Sequence, residues 1–354
     1  NTAVIVGFIC YSGATAMLGI DIGQPIRGWF IFWHANIHSM LVEVSFCITC
    51  YLGVLIVEFV PIILENRKLD EVKELHLFGH NLHHIMGVIA ATGTFLSFFH
   101  QGSLGGMFGV MYGRPFAARE GFYIWPWTFF LFTWSAAAFG PCFTILITKI
   151  TEALTRKKLV KDNVVDLLAK ISGWMIVTYI VAKIVDTLYW ANVTAPSRGF
   201  TFGDFYNSSP GSAYGIWIFI LEIGICGVLP GLILIISRLR RIQGFLWLAV
   251  FLGVLGVCLN RWVMVLQVLA IPVLPFEDWF TYLPSWQEVA TTILPVAYGV
   301  IMLSISYRYL PIFPQEQELN PIDEPAAPGE VAERELEPEP AGTGPEPELS
   351  PAES

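Results

Sequence analysis

The feature that most constrains this chain is a succession of apolar runs, each long enough to cross a hydrocarbon layer. About 20 helical residues span a core of ~30 Å at 1.5 Å per residue. Eight runs reach that length, over residues 1–22, 30–63, 77–101, 122–149, 165–191, 213–236, 244–271 and 288–310. Lipid offers the backbone no hydrogen-bond partners, so such runs satisfy their own amides as helices. The expected fold class is therefore all-α: an integral membrane bundle of about eight transmembrane helices. The composition agrees, with 55% hydrophobic and 14% charged residues among 354.

The net charge of −9 is local rather than general. From Pro314 onward there are twelve acids against Arg334 alone, so the tail carries −11 and the body +2. A Pro- and Glu-rich segment with few large apolar residues buries too little surface to fold. The chain divides accordingly into a membrane domain, 1–313, and an acidic tail, 314–354, expected to be disordered. Asn1 opens directly into apolar sequence without a charged leader or cleavage site. Further helices upstream of this sequence are an expectation that follows.

Basic residues set the orientation. Eleven of them (Arg67, Lys68, Lys73, Lys149, Arg156, Lys157, Lys158, Lys161, Arg238, Arg240 and Arg241) flank one set of connections. The alternate set holds only Arg27, Arg114, Arg119 and Arg198. The positive-inside rule puts the first set, and both visible ends, in the cytoplasm of a bacterial or archaeal cell. Trp29, Trp33, Trp125, Trp127, Trp190, Trp279 and Trp286 then gather at the outer interface. The basic loops are short and explained by topology, so nucleic acid is not an expected partner; the lipid bilayer is. The six cysteines lie within apolar runs without metal-ligand spacing, and buried inert thiols are expected.

Polar residues inside the runs are where function is to be sought, because they are costly in lipid. The stretch His80 to Trp127 holds four of the seven histidines. It leaves its helix, on this reading, at the glycine-rich turn His100–Gly106, beside Gln101, Ser103 and Arg119. Asp21, Arg27 and Asn36 lie in the turns after the first run. Glu43 falls near the middle of a long second helix and is open to two readings: a proton path, or a buried pair with Arg261 or Lys183. His83, Thr94 and Ser97 share a broad face of the third run and would extend such a path, although small polar residues are also ordinary at helix contacts. Lys183 and Asp186, three apart, fit a local pair; Glu222 and Arg261 are left to find partners on other helices. Two haems do not fit, since His80, His83 and His84 share one helix; a single haem between His38 and His100 is the most that the histidines allow. No Walker loop, dinucleotide fingerprint or HExxH motif is present. A quinone site needs hydrogen-bond donors beside an aromatic slot, and His100 with Gln101 supplies them.

Four segments carry a resemblance: DIGQP at 21–25, NIHSMLVEV at 36–44, FHQGSLGG at 99–106 and RPFAAREGFYIWPWTFFLF at 114–132. Their order and spacing resemble the polysulfide reductase/NrfD family, in the branch that includes the HybB and DsrP membrane subunits, with the REGFYIWPWTFFLF wording most like DsrP. The resemblance covers nearly all of 1–313. It implies a membrane subunit without haem or metal of its own. Such a subunit exchanges electrons between quinone, menaquinone being expected, and a ferredoxin-like iron–sulfur subunit on the periplasmic side, with proton translocation as a further possibility. Carried over by motif, the quinone site would comprise His100, Gln101, Ser103, Asp21, Arg27 and Asn36, with Glu43 on the proton path. Members of this branch often have ten spans, and the acidic tail has no counterpart in that pattern. The rival readings are a redox-independent proton or ion transporter, a b-type cytochrome subunit and a purely structural anchor.

Overall fold

The computed structural model describes residues 1–36, 38–64, 72–109, 121, 122, 125–199, 201–203, 216–267, 274, 276 and 284–320. Its long helices are α1 (Thr2–Asp21), α3 (Met40–Leu64), α4 (Lys73–Gly109), α5 (Trp127–Thr155), α6 (Asp162–Tyr189), α7 (Ile216–Ile235), α8 (Gln243–Trp262) and α9 (Trp286–Tyr309). Short helices include α2 (Phe30–Trp33), α10 (Glu316–Leu319) and a single turn at Ser237–Arg240. Among the described residues seven helices are long and apolar enough to span a membrane, or up to eight if α4, bent by 48° between Leu82 and His84, is one span. A two-stranded hairpin pairs Gly121–Phe122 with Trp125–Pro126 just before α5. One end of the bundle carries Trp127, Trp190 and Trp286; the other carries Lys157 and Arg240. They are called the aromatic end and the basic end below.

The helices form two groups. The first is a four-helix bundle of α5, α6, α7 and α8 around a continuous core that includes Phe139, Ala169, Ile176, Leu234 and Val250. In the second, α3 packs along α4, α1 lies against α3, and α9 leans on α1. At the basic end Ile5, Ile62, Leu159 and Phe313 form a smaller cluster that ties the groups together. Outward faces stay apolar, as on Val88 and Phe95 of α4 and Val296 and Val300 of α9. That is what a helix facing lipid requires. Helix α9 starts on a capping box, in which Ser285 Oγ accepts from the Glu288 amide and the Glu288 carboxylate accepts from the Ser285 amide.

Several expectations change in the folded chain. The second apolar run is not one helix: it breaks at 34–39 between α2 and α3, where Asn36 Oδ1 accepts from the His38 amide at 3.1 Å. Glu43 therefore sits in the first turn of α3, not at the middle of a span. The third run does not end at His100, because α4 continues through the glycines to Gly109. A Cβ on Gly102 would lie 2.4 Å from the Phe129 ring, and one on Gly105 would lie 2.4 Å from the Thr128 carbonyl oxygen. These glycines let α4 and α5 approach, the usual reason for small residues between membrane helices. Trp190 is fully buried rather than part of an interfacial belt. Of the cysteines, Cys142 and Cys226 are buried, Cys47 is half-buried, and Cys10, Cys50 and Cys258 are exposed.

The start of the acidic tail is also ordered. Helix α10 docks on the α5–α6 connection, with Lys157 to Glu316 at 2.9 Å and Lys161 to Glu318 at 2.7 Å. Asn320 Nδ2 donates to the Lys158 carbonyl at 2.7 Å. The remainder of the expected tail, 321–354, lies outside the described residues.

Candidate functional site

His100 is 2% exposed, on the face of α4 that meets α1 and α3. Its Nε2 lies 3.1 Å from the Tyr11 hydroxyl and 3.2 Å from the Gln101 side-chain amide nitrogen. Its Nδ1 lies 3.3 Å from the Leu96 carbonyl oxygen. These contacts fit a neutral ring with Nδ1–H donating to the backbone and Nε2 accepting from Tyr11 and Gln101, the tautomer being assigned from the bonding pattern. The Tyr11 hydroxyl also lies 3.4 Å from Ser97 Oγ. Tyr51 of α3 closes the cluster, its ring 4.5 Å from that of Tyr11 and 6.2 Å from that of His100. Tyr11 is near the middle of α1 and Tyr51 near the middle of α3. The histidine therefore reaches the interior of the helix group, not its mouth.

The predicted site residues separate into those that join this cluster and those that do not. Gln101 and Ser97 belong to it. Ser103 is buried on the adjoining stretch of α4. Glu43 is half-buried and falls between two packing contacts of α3 with α4, Met40 against Gly106 and Tyr51 against Gly93, which brings it level with the His100 region. Arg27, in a 3-10 turn at 25–27, and Asn36 are exposed at the aromatic end. Thr94 is exposed, and its hydroxyl bonds the Ala90 carbonyl of its own helix at 2.9 Å. One residue away, Gly93 makes the contact with α3, and a step of about 100° per residue accounts for the difference. The side chains of Asp21 and His83 and the whole of Arg119 lie outside the described residues.

A second polar centre lies inside the four-helix bundle. Lys183 of α6 pairs with Glu222 of α7. Asn260 of α8 donates to the same Glu222 oxygen at 2.8 Å. Arg261 donates to Asn260 Oδ1 at 2.7 Å, to Ser135 Oγ at 3.0 Å and to the Phe132 carbonyl at 3.1 Å. Its guanidinium also stacks 3.7 Å from the centre of the Phe132 ring. Lys183 thus reaches across to another helix, where spacing had favoured Asp186. Both cations offered as partners for Glu43 are engaged here instead.

Among the described residues no group of three or more His, Cys, Asp or Glu side chains is gathered as a metal site. Five of the seven histidines lie on α4, and the other two, His34 and His38, lie in the break before α3. His80 and His84 touch, Nε2 to Nε2 at 3.3 Å, which leaves no space for a porphyrin between them.

Over 320 residues the chain is 52% identical to the menaquinone reductase, integral membrane subunit, of Nitratidesulfovibrio vulgaris (strain Hildenborough), spanning 90% of this chain and 76% of that protein. The chain belongs to the polysulfide reductase/NrfD family. A more distant relative is the probable Ni/Fe-hydrogenase 2 b-type cytochrome subunit of Escherichia coli (strain K12), 24% identical over 329 residues, 88% of this chain and 73% of that protein. No protein-family model matches the chain.

For this NrfD-family chain, sequence reading missed Tyr11 and Tyr51. Each is a lone tyrosine in an apolar run, with no spacing signal to mark it. Only the packing of α1 and α3 on α4 brings them to His100. A buried Tyr hydroxyl does seek a partner, so a mid-helix tyrosine was the one available hint.

Proposed function

We propose that this chain is the quinone-interacting membrane subunit of a respiratory oxidoreductase complex, with His100 at its quinone site. The observation that carries the reading is the buried His100 with its half-buried partners Tyr11 and Gln101, a set of hydrogen-bonding groups beside the Tyr51 ring. A quinone needs an apolar slot for its ring and donors for its carbonyl oxygens. Interconversion of quinone and quinol moves two electrons and two protons. A histidine with an unperturbed pKa near ~6.5 is suited to hand those protons on. The 52% relative is named as a menaquinone reductase subunit, which supports menaquinone as the ligand. Ser103 and Glu43 border the same region, Arg27 and Asn36 stand at the aromatic end, and Asp21 and Arg119 are further candidates for the site. Glu43, His83, Thr94 and Ser97 are the candidates for a proton path, with Ser97 in contact with the Tyr11 hydroxyl.

The electrons are exchanged with a ferredoxin-like iron–sulfur subunit docked at the aromatic end, which the positive-inside rule orients to the periplasm of a cytoplasmic membrane. A haem held by histidines from two facing spanning helices does not fit a chain whose spanning helices carry histidine on α4 alone.

Purification in mild detergent tests this, with the visible spectrum recorded and the accompanying chains and lipids identified. Bound quinone together with an iron–sulfur partner is the expected result. A lone chain free of quinone would point instead to a redox-independent ion transporter. A Soret band lost on His38→Ala or His100→Ala would make the protein a b-type cytochrome.

A further inference from the structure

The Lys183–Glu222 centre lies in the other helix group from the Tyr11–His100 cluster, and its surroundings are unusual for a structural ion pair. Two cavities flank it along the bundle axis. The larger, about 30 Å³, is lined by Thr128, Asp186, Thr187, Phe219 and Met264; the smaller, about 10 Å³, by Phe139, Ile180, Cys226 and Gly256. Lys183, Glu222, Asn260 and Tyr179 line both. The order is the same on every helix of the bundle. Thr128 precedes Phe139 from the aromatic end of α5, and Thr187 lies beyond Ile180 on α6. Likewise Phe219 precedes Cys226 on α7, and Met264 lies beyond Gly256 after α8. The ion pair therefore separates a space towards the aromatic end from one towards the basic end.

Both spaces suit water. A site of about 10–15 Å³ is the minimum for one molecule, so the larger cavity accepts water readily and the smaller is at the limit. Thr128 Oγ1 lines the larger cavity, is buried, and has no hydrogen-bond partner among the described residues. A buried hydroxyl without a partner is costly, and water in the cavity satisfies it. The backbone is irregular here too. Glu222 lies in a π-helical stretch, Ile220–Val228, while α6 runs into another at Trp190–Thr194 and α8 into a third at Val263–Gln267. Such segments are rare and concentrate at functional sites.

Among the described residues the charges balance: Lys183 and Asp186 from α6, Glu222 from α7 and Arg261 from α8 sum to zero, with the Tyr179 phenol beside them. Helix α5 adds Thr128, Ser135 and the Phe132 carbonyl.

We propose that the Lys183–Glu222 pair is a proton relay, passing protons between water in the two cavities during turnover of the complex. A proton moves from the Lys183 ammonium to the Glu222 carboxylate, giving a neutral amine and a neutral carboxyl. The carboxyl releases its proton to water in one cavity, and the amine takes a proton from water in the other, which restores the pair. No electron is transferred, and the cluster ends with the charge it began with. Asn260 holds the carboxylate in place, and Arg261, fixed by Asn260, Ser135 and Phe132, is the cation that does not exchange. The relay rests on the quinone reading only for what drives it.

Two measurements on the protein in its purified complex test the relay. Infrared difference spectra between high and low pH should contain a carboxyl band that disappears in Glu222→Gln and shifts in Thr128→Val. In proteoliposomes, Glu222→Gln and Lys183→Met should lower protons moved per electron at least tenfold, while uncoupled quinone turnover stays within twofold of the parent. No Glu222-dependent carboxyl band, or an unchanged proton ratio in Glu222→Gln, overturns the proposal. Should Glu222→Gln not assemble, Thr128→Val, which leaves the ion pair intact, decides through the same two readouts. A failure of the quinone reading looks different, because the wild-type complex would then show no quinone turnover while the infrared arm still reports on Glu222.

Discussion

The Tyr11 hydroxyl lies 3.1 Å from Nε2 of His100, joining helices whose residues are 89 positions apart in the chain. If this contact orients the imidazole for proton exchange, the two residues should differ in the size of their effects. His100→Ala removes the exchanging group, and quinone-linked turnover should fall by about 10²–10⁴-fold in a complex that still assembles. Tyr11→Phe removes the hydrogen bond to His100, worth about 1 kcal/mol, together with the longer contact to Ser97, and turnover should fall roughly fivefold. Steady-state assays with a soluble quinol or quinone analogue measure both. Parent-like turnover in His100→Ala removes this residue from the site.

The close approach of α4 to α5 gives a stability prediction. A Cβ on Gly105 would meet the Thr128 carbonyl oxygen and the Phe132 side chain, which are backbone and core and have little room to move. Gly105→Ala should destabilise the protein by about 1–3 kcal/mol through overpacking. Gly19, where a Cβ meets nothing within 4 Å, is the control and should tolerate alanine. Thermal unfolding in detergent, followed by tryptophan fluorescence, compares the two.

Arg261 is held by three oxygen acceptors and a ring face inside the bundle. Arg261→Ala leaves the Asn260 side-chain oxygen without the donor that Arg261 supplies, removes one of the donors to Ser135 and the Phe132 carbonyl, and takes the cation out of the cluster. Breaking a buried charge network costs about 3–5 kcal/mol, so this variant should accumulate poorly in the membrane. Arg261→Lys keeps the charge but not the fork of donors, and its yield should be intermediate. Quantitative blotting of membrane fractions reads the series.

At the basic end, Glu316 accepts from both Lys157 and the Tyr307 hydroxyl, and it holds the Lys157 ammonium above the usual lysine range. A lysine pKa raised by folding contributes to docking below the unfolded-state value of ~10.4 and stops contributing as pH rises through the folded one. Protease cleavage within 314–320 should therefore be slow at neutral pH and accelerate at strongly alkaline pH. In Glu316→Gln it should already be faster at pH 7, and the alkaline rise should shrink. Timed digestion with mass-spectrometric mapping of the cut sites follows it.

The sequence by itself determined the membrane class, the eight spans and the family, because hydropathy, helix length and the order of motifs are local properties of the chain. It also singled out His100 and Gln101, since a polar pair in an apolar run stands out without any knowledge of its neighbours. The tertiary structure decided what those residues touch. Tyr11 and Tyr51 reach His100 only through the packing of α1 and α3 on α4. The glycines at 102–106 read as a turn in sequence but serve a helix contact, because glycine relieves steric crowding in either role and only the partner helix distinguishes them. The partner of Lys183 on another helix, Glu222, is set by the same packing. In a bundle, the nearest neighbour of a side chain is set by which helix faces pack together, and one helix's periodicity does not contain that information.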